Sequence, residues 1–279
     1  MRLVLLPIST RRTLIYCQRL NVTPPEKQTY LDKGTAKAAA LWAGWEKKES
    51  GWQKKVVDYG NKALQRIPYE EWGLKSIPPL SARNQTDELS GKETVEVTFP
   101  PSLMPEAKVP EVLRILGTER QALHRQRMIY SFIGMPISAP VALVPIIPNL
   151  PFFYLVYRAW SHWRALSGSK HIEFLLEKKL IATRPSKILD EIYSTGERPF
   201  VHSTAVKETA KSSSTTAPEI MLLHKSNGKR IADALNIPEL EVELDRAVWQ
   251  VERALKAETE LKQEKKALDD IKPDTKKEE

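Results

Sequence analysis

Cys17 is the only cysteine in the chain. One cysteine excludes an intramolecular disulfide and a cysteine metal cluster. The five histidines, His124, His162, His171, His202 and His224, are scattered, and none has the spacing of zinc ligands. The sequence has no phosphate loop, no dinucleotide glycine fingerprint and no HExxH, and no Ser-His-Asp order stands out. No catalytic, cofactor-binding or metal residue is therefore expected, no cofactor is implied, and the chain is read as a non-enzyme. Acids are missing from the first 25 residues. Charge of either sign is missing from the thirty residues Met128 to Tyr157.

That uncharged run is the feature any account of function has to explain. Prolines interrupt it at Pro136, Pro140, Pro145, Pro148 and Pro151. A membrane-crossing helix needs roughly 20 apolar residues, so one span fits and two do not. Proline removes a backbone donor and clashes with the preceding turn, which argues against one continuous helix. Three readings stay open: a kinked span, a re-entrant hairpin turning near Pro145, Pro148 and Asn149, and a buried core segment. Pro136, Pro140, Pro145, Pro148, Asn149 and Pro151 are the residues expected to be membrane-embedded. Arg120, Arg125 and Arg127 precede the run, and Arg158 and Arg164 follow it. Basic flanks on both sides favour two ends on one side of a bilayer. Arg125, Arg127, Arg158, His162, Trp163 and Arg164 are expected at the membrane interface, beside Tyr154, Tyr157 and Trp160. Arginine and aromatics at 158–164 also suit RNA, but their position beside the apolar run favours lipid, and no specific nucleic acid is predicted.

Outside the run the chain is charge-rich, with a formal net charge of +8 over 279 residues. Mean hydropathy is −0.40, which excludes a carrier of many spans. The charge suits an anionic membrane surface or nucleic acid equally. Arg2, Arg11, Arg12 and Arg19 with Ser9, Thr10 and Thr13 make an acid-poor N-terminus of the kind that directs mitochondrial import. The same residues read as two short strands, Arg2–Leu6 and Thr13–Cys17. Address and structure are compatible if the address is not cleaved.

Thr23, Pro24 and Glu26 open a helix by capping logic. Ala38, Leu41, Trp45, Trp52, Val56, Tyr59, Ala63 and Ile67 then form an apolar stripe, split near Ser50 and Gly51 and expected to pack in a core or on a partner. The acids Glu70, Glu71 and Glu119 read as solvated. Residues 81–92 read as a polar, mobile loop. Thr94–Phe99 alternates as a strand able to pair with the N-terminal ones. Val109–Arg127 is helical. Asn149 and Pro151 start another helix, with Gly168 as a stop and an amphipathic helix over Lys170–Thr183 beyond it. Residues 203–218 have the composition of a disordered linker. Gly228–Leu235 and Glu239–Leu268 form a last helical unit, with Leu244, Val248, Val251 and Leu255 as its stripe. That stripe suits intramolecular packing or partner docking, with a coiled coil as the other reading. The predicted class is mainly α with a small N-terminal β-sheet (α+β), a proline-broken membrane-embedded segment and a C-terminal helical unit. The predicted parts are 1–125, 126–182, a linker over 183–222, 223–268 and a charged tail over 269–279.

Three stretches resemble a known family. The first runs from Met1, Arg2 and Leu3 through Leu6, Pro7, Ile8, Ser9, Thr10, Arg11, Arg12, Thr13, Leu14, Ile15, Tyr16 and Cys17. The second is Pro145 to Pro151, followed by Phe153, Tyr154, Arg158, Ser161, His162, Trp163, Arg164, Ala165, Gly168 and Ser169. The third is Glu239, Leu240, Arg246, Ala247, Val248, Gln250, Val251 and Glu252. Together they are similar to the fungal mitochondrial K+–H+ exchange-related family. The resemblance implies a mitochondrial inner-membrane protein with soluble parts facing the matrix and a part in potassium–proton exchange. It transfers no transport residue. Membrane proton relays place carboxylates inside the bilayer, and Met128–Tyr157 has none. An accessory or oligomeric component is therefore expected rather than a self-sufficient antiporter. Its partners would be the lipid bilayer, other inner-membrane or matrix proteins, and K+ and H+ as the ions moved. A membrane-anchored matrix scaffold or assembly factor, for example ribosome-associated, is the alternative.

Overall fold

The computed structural model describes residues 1–18, 30–91, 94–140, 149–195 and 219–271. The expected starts and links at 19–29, 141–148, 196–218 and 272–279, including Thr23, Pro145 and Pro148, lie outside them. Four strands form one sheet: β1 (Arg2–Pro7), β2 (Thr13–Gln18), β3 (Val95–Phe99) and β4 (Ile181–Pro185), ordered β2-β1-β3-β4. β1 and β3 run parallel, with Arg2 opposite Glu96, Leu3 opposite Val97 and Val4 opposite Thr98. The sheet is mostly apolar and buried, as parallel pairs require. The expected α+β class and the pairing of the 94–99 strand with the N-terminal ones hold.

The described residues divide into two compact units. The first comprises residues 1–4, 15–98 and 106–184. Its spine is α7 (Leu150–Glu177), against which α3 (Tyr69–Ser76), α5 (Val109–Thr118) and α6 (Gln121–Ser138) pack. Asn149 caps α7, its side chain accepting from the Phe152 amide at 3.1 Å, and Pro151 sits in the first turn where its missing donor costs nothing. Contact between α3 and α7 is close because Gly168 has no side chain: a Cβ there would meet the Leu74 carbonyl at 2.1 Å. Gly168 is thus a packing residue and not the predicted stop; α7 continues to Glu177. The helix predicted over 170–183 is corrected at its end. Lys179 takes a positive φ of 54°, and Ile181 and Thr183 enter β4 as β-branched residues suited to a strand.

Two more corrections fall in this unit. The polar stretch 81–92 contains a helix, α4 (Ala82–Leu89), capped by Ser81, whose hydroxyl accepts from the Asn84 amide. Its Glu88 is buried against His171. The tryptophan stripe is the other: part of it is not core, and its packing on a partner stays an expectation. α1 (Tyr30–Glu46) and α2 (Trp52–Gln65) split at Gly51 as expected. They meet through Trp42 and Gly60, while Leu41, Trp52 and Tyr59 of the stripe are exposed.

The second unit comprises residues 5–14, 99–105 and 185–279. It holds α8 (Lys187–Thr195), within the predicted linker, α9 (Lys225–Leu235) and α10 (Glu239–Ile271). Asn236 ends α9 in the left-handed conformation, which asparagine tolerates. Leu244, Ala247, Val248 and Val251 of α10 are buried, so the predicted stripe is intramolecular packing. Residues after 218 fold back on the N-terminal turn: Ser9 bridges Met221, and the Leu222 amide donates to Ile8.

Candidate functional site

The described parts of the uncharged run, 128–140 and 149–157, lie mostly in α6 and α7, which pack as a helical pair. Asn149 Nδ2 donates to the Ser138 carbonyl at 2.8 Å, Gly134 lies on Leu155, and His124 Nδ1 meets His162 Nδ1 at 3.1 Å. As α6 is followed backward α7 advances, so the two helices are antiparallel. The kinked-span and buried-core readings are thereby set aside for the described residues: the chain reverses, and much of the hairpin is exposed. Among the described residues no helix is long and apolar enough to cross a membrane.

The outside of α6 is apolar, unlike that of a water-facing helix. His124, Met128, Ser131, Met135 and Ser138 recur at intervals of four and three and so share one face of α6, the face on which His124 meets His162. Of these, His124 and Ser131 are buried, while Ile129, Phe132, Ile133 and Ile137 are exposed. On α7, Leu150, Phe153, Tyr154, Val156 and Trp163 are exposed too. Among the expected embedded positions, Pro136, Pro140 and Pro151 are exposed and Asn149 is buried as the cap. Pro136 sits inside α6.

The base of the hairpin holds a buried ionic cluster that sequence reasoning misplaced. Glu71 on α3 was read as solvated and is 1% exposed. Pro68 starts α3, and a helix from there puts Glu71, Leu74 and Lys75 on one inward face. Arg158 donates to both Glu71 oxygens, at 2.8 and 3.1 Å, and Ser161 Oγ donates to Oε1 at 2.6 Å. Burial pushes the Glu71 pKa up, but the Ser161 hydrogen bond and the Arg158 charge outweigh it and hold it below the usual value. The interfacial roles expected for Arg158 and His162 are corrected. Both point inward, because the buried carboxylate needs a charge partner and His162 lies one turn from Arg158. Arg164 donates to the Lys75 carbonyl at 3.2 Å, whereas Arg125, Arg127 and Trp163 are exposed. Tyr157 and Trp160 turn toward Lys75, whose ammonium lies 3.5 Å from the Trp72 ring centroid and within 5.4 Å of theirs.

The hydrogen-bond directions in the cluster follow from Arg158, which can only donate. Its Nη2 lies 2.9 Å from His162 Nε2, so that nitrogen is the acceptor. His162 therefore carries its proton on Nδ1 and donates it to His124 Nδ1. His124 in turn keeps its proton on Nε2, which is buried with no protein partner. Burial lowers both imidazole pKa values, that of His162 to about 4. Glu71, His124 and His162 also bring three ligand atoms within 4.8 Å of one another, as a metal tripod would. Arg158 opposes that use. A metal on His162 Nδ1 would move the ring proton to Nε2, facing the guanidinium donor, and would compete with Arg158 for Glu71. The cluster's chemistry is that of an ion-paired clamp joining α3, α6 and α7, with the Glu71 charge met by Arg158.

An α+β body carrying an apolar, antiparallel helical hairpin over a buried ionic clamp describes the first unit. Residues 2–176 match the mitochondrial K+-H+ exchange-related family, and the chain belongs to that family. It is 31% identical over 191 residues to a Schizosaccharomyces pombe protein described as uncharacterized, covering 68% of this chain and 82% of the relative. It is 26% identical over 275 residues to a Saccharomyces cerevisiae protein described likewise, covering 89% and 84%. No solved structure matches.

Proposed function

We propose that this protein is an accessory or oligomeric component of mitochondrial K+–H+ exchange, working at the inner membrane with its soluble parts toward the matrix. The family's description supplies the process. The observation that carries the accessory role is the pairing of Glu71. An ion relay needs an ionisable group free to gain and lose its cargo along a path. The apolar hairpin has no carboxylate, and the carboxylate at its base is held ionised by Arg158 and Ser161. Burial also lowers the pKa of His124 and takes that of His162 to about 4, so both imidazoles of the cluster are disfavoured as proton carriers. Other inner-membrane or matrix proteins then provide the ion path, and no enzymatic activity is assigned.

The test uses purified full-length protein in liposomes with an imposed pH gradient. Addition of potassium is expected to leave the gradient unchanged, while mitochondria lacking the protein lose potassium-dependent swelling control. Potassium-driven collapse of the gradient by the protein alone would overturn the accessory role. Normal swelling in its absence would overturn the link to exchange.

A further inference from the structure

The α6–α7 hairpin carries an exposed apolar face: Ile129, Phe132, Ile133 and Ile137 of α6 and Phe153 and Val156 of α7 face out, while His124 and Ser131 are buried. A water-facing pair would expose polar residues there, and exposed apolar patches of this kind mark interaction surfaces. We propose that the hairpin is a wedge that enters a single leaflet of an anionic bilayer, with both helix ends remaining on the side it entered from. The proposal rests on the reading that the protein works at a membrane, and adds which residues enter and how far.

Four observations fit a lipid leaflet. The first is distribution. Ile129, Phe132, Ile133 and Ile137 on α6 and Phe153 and Val156 on α7 are exposed on both helices. The second is depth. The described part of the α6 arm, Met128–Ser138, spans roughly 16 Å at about 1.5 Å per residue, and one leaflet's hydrocarbon is about 15 Å, half of a ~30 Å core.

The third is backbone satisfaction, which hydrocarbon demands of any immersed polar group. Asn149 satisfies the Phe152 amide and the Ser138 carbonyl, one on each arm. The Ser131 and Ser138 hydroxyls donate to the Arg127 and Met135 carbonyls at 2.9 Å. These polar side chains thus need no water.

The fourth is the charge boundary. The pairing of His124 with His162 brings the first charged residues of the two arms, Arg127 and Arg158, to about the same level. Arg158 turns in to Glu71, which leaves the exposed Arg125 and Arg127 to meet phosphate. The exposed Trp163 lies near that level, as interfacial aromatics do.

Flotation of the purified full-length protein with phosphatidylcholine vesicles, with and without phosphatidylglycerol, tests this. Binding is expected to both, at least about tenfold tighter with the anionic lipid, in line with about 1 kcal/mol for each of two basic residues. Ile133→Glu with Phe153→Glu is expected to abolish binding to both. Because both side chains are exposed, the circular dichroism and melting of that variant should match wild type. Arg125→Glu with Arg127→Glu is expected to remove only the anionic preference. A bimane on Ile137→Cys in a Cys17→Ser background should be quenched by nitroxides on the acyl chains and not by iodide trapped inside the vesicles. Three results would each overturn the wedge: wild-type protein that floats with neither vesicle, a glutamate variant that floats as wild type does, or a tip quenched from the lumen. A lipid-free dimer broken by the glutamate pair would reassign the apolar face to a second copy. None of these readouts depends on ion flux, so the wedge and the exchange reading can fail separately.

Discussion

Arg158 of α7 grips both carboxylate oxygens of Glu71 on α3, across 87 residues of chain, and hands a third hydrogen bond to His162. Breaking a buried pair leaves one uncompensated charge and costs about 3–5 kcal/mol. Arg158→Met and Glu71→Leu are each expected to lose that much in urea unfolding. The double variant should regain more than half of it, since no charge is then stranded. Single variants within about 1 kcal/mol of wild type, the range of surface pairs, would show that the clamp does not hold the helices.

Acid should loosen the same region. The folded pKa values of His124 and His162 lie below that of a free histidine. The unfolded chain therefore binds more protons, and stability falls as pH drops from about 6.5 toward 4. The loss is at most about 1.4 kcal/mol per pH unit for each group. Glu71 acts in the same sense at lower pH, since its folded pKa is depressed and its contribution is lost as pH falls through that value. Melting temperature followed from pH 8 to below 5 checks this, and His162→Gln should flatten the slope below about pH 6.5.

Two glycine substitutions should act in opposite directions. At Gly168 a Cβ would sit 2.1 Å from the Leu74 carbonyl, while Gly44 of α1 has nothing within 4 Å. Gly168→Ala is expected to destabilise by about 1–3 kcal/mol through overpacking. Gly44→Ala should stabilise by about 0.5–1 kcal/mol because alanine gives up less backbone freedom in a helix. Parallel denaturation curves compare them directly.

Residues 2–18 are expected to stay on the mature protein. Leu3, Val4, Leu5 and Leu6 of β1 are buried, and β1 pairs with β3. Removal of residues 2–18 would delete β1 and β2. Intact-mass measurement of protein isolated from mitochondria should find these residues present; a start beyond Gln18 would refute it.

Short-range signals carried much of this fold. The apolar composition of β1 and β2, the alternation in β3, the Gly51 break, the Asn149 cap and the α10 stripe each depend on a few neighbouring residues. The antiparallel course of α6 and α7 was one of three that the prolines and basic flanks left open. The clamp was not legible. Glu71, His124, Ser161 and His162 come from three helices, and nothing within any one segment says that a carboxylate at 71 meets an arginine at 158. The nearest local signal was the spacing of Glu71, Leu74 and Lys75 after Pro68, which puts an acid on an apolar face. Gly168 misled for a related reason: a glycine needed for close approach looks the same in sequence as one that ends a helix. The end of α7 failed because Lys179 turns the chain against a helical pattern, and the β-branched residues after it are held by a strand distant in sequence.

The pairing of β1 with β3 bears on how the chain reaches its native state. Arg2 finds its partner at Glu96, so β1 waits for residues far later in the chain before the sheet can close. Such long-range pairings slow folding, because the loop entropy is lost before any contact repays it. A chain threaded into a compartment N-terminus first would keep its most apolar strand uncovered until β3 arrived.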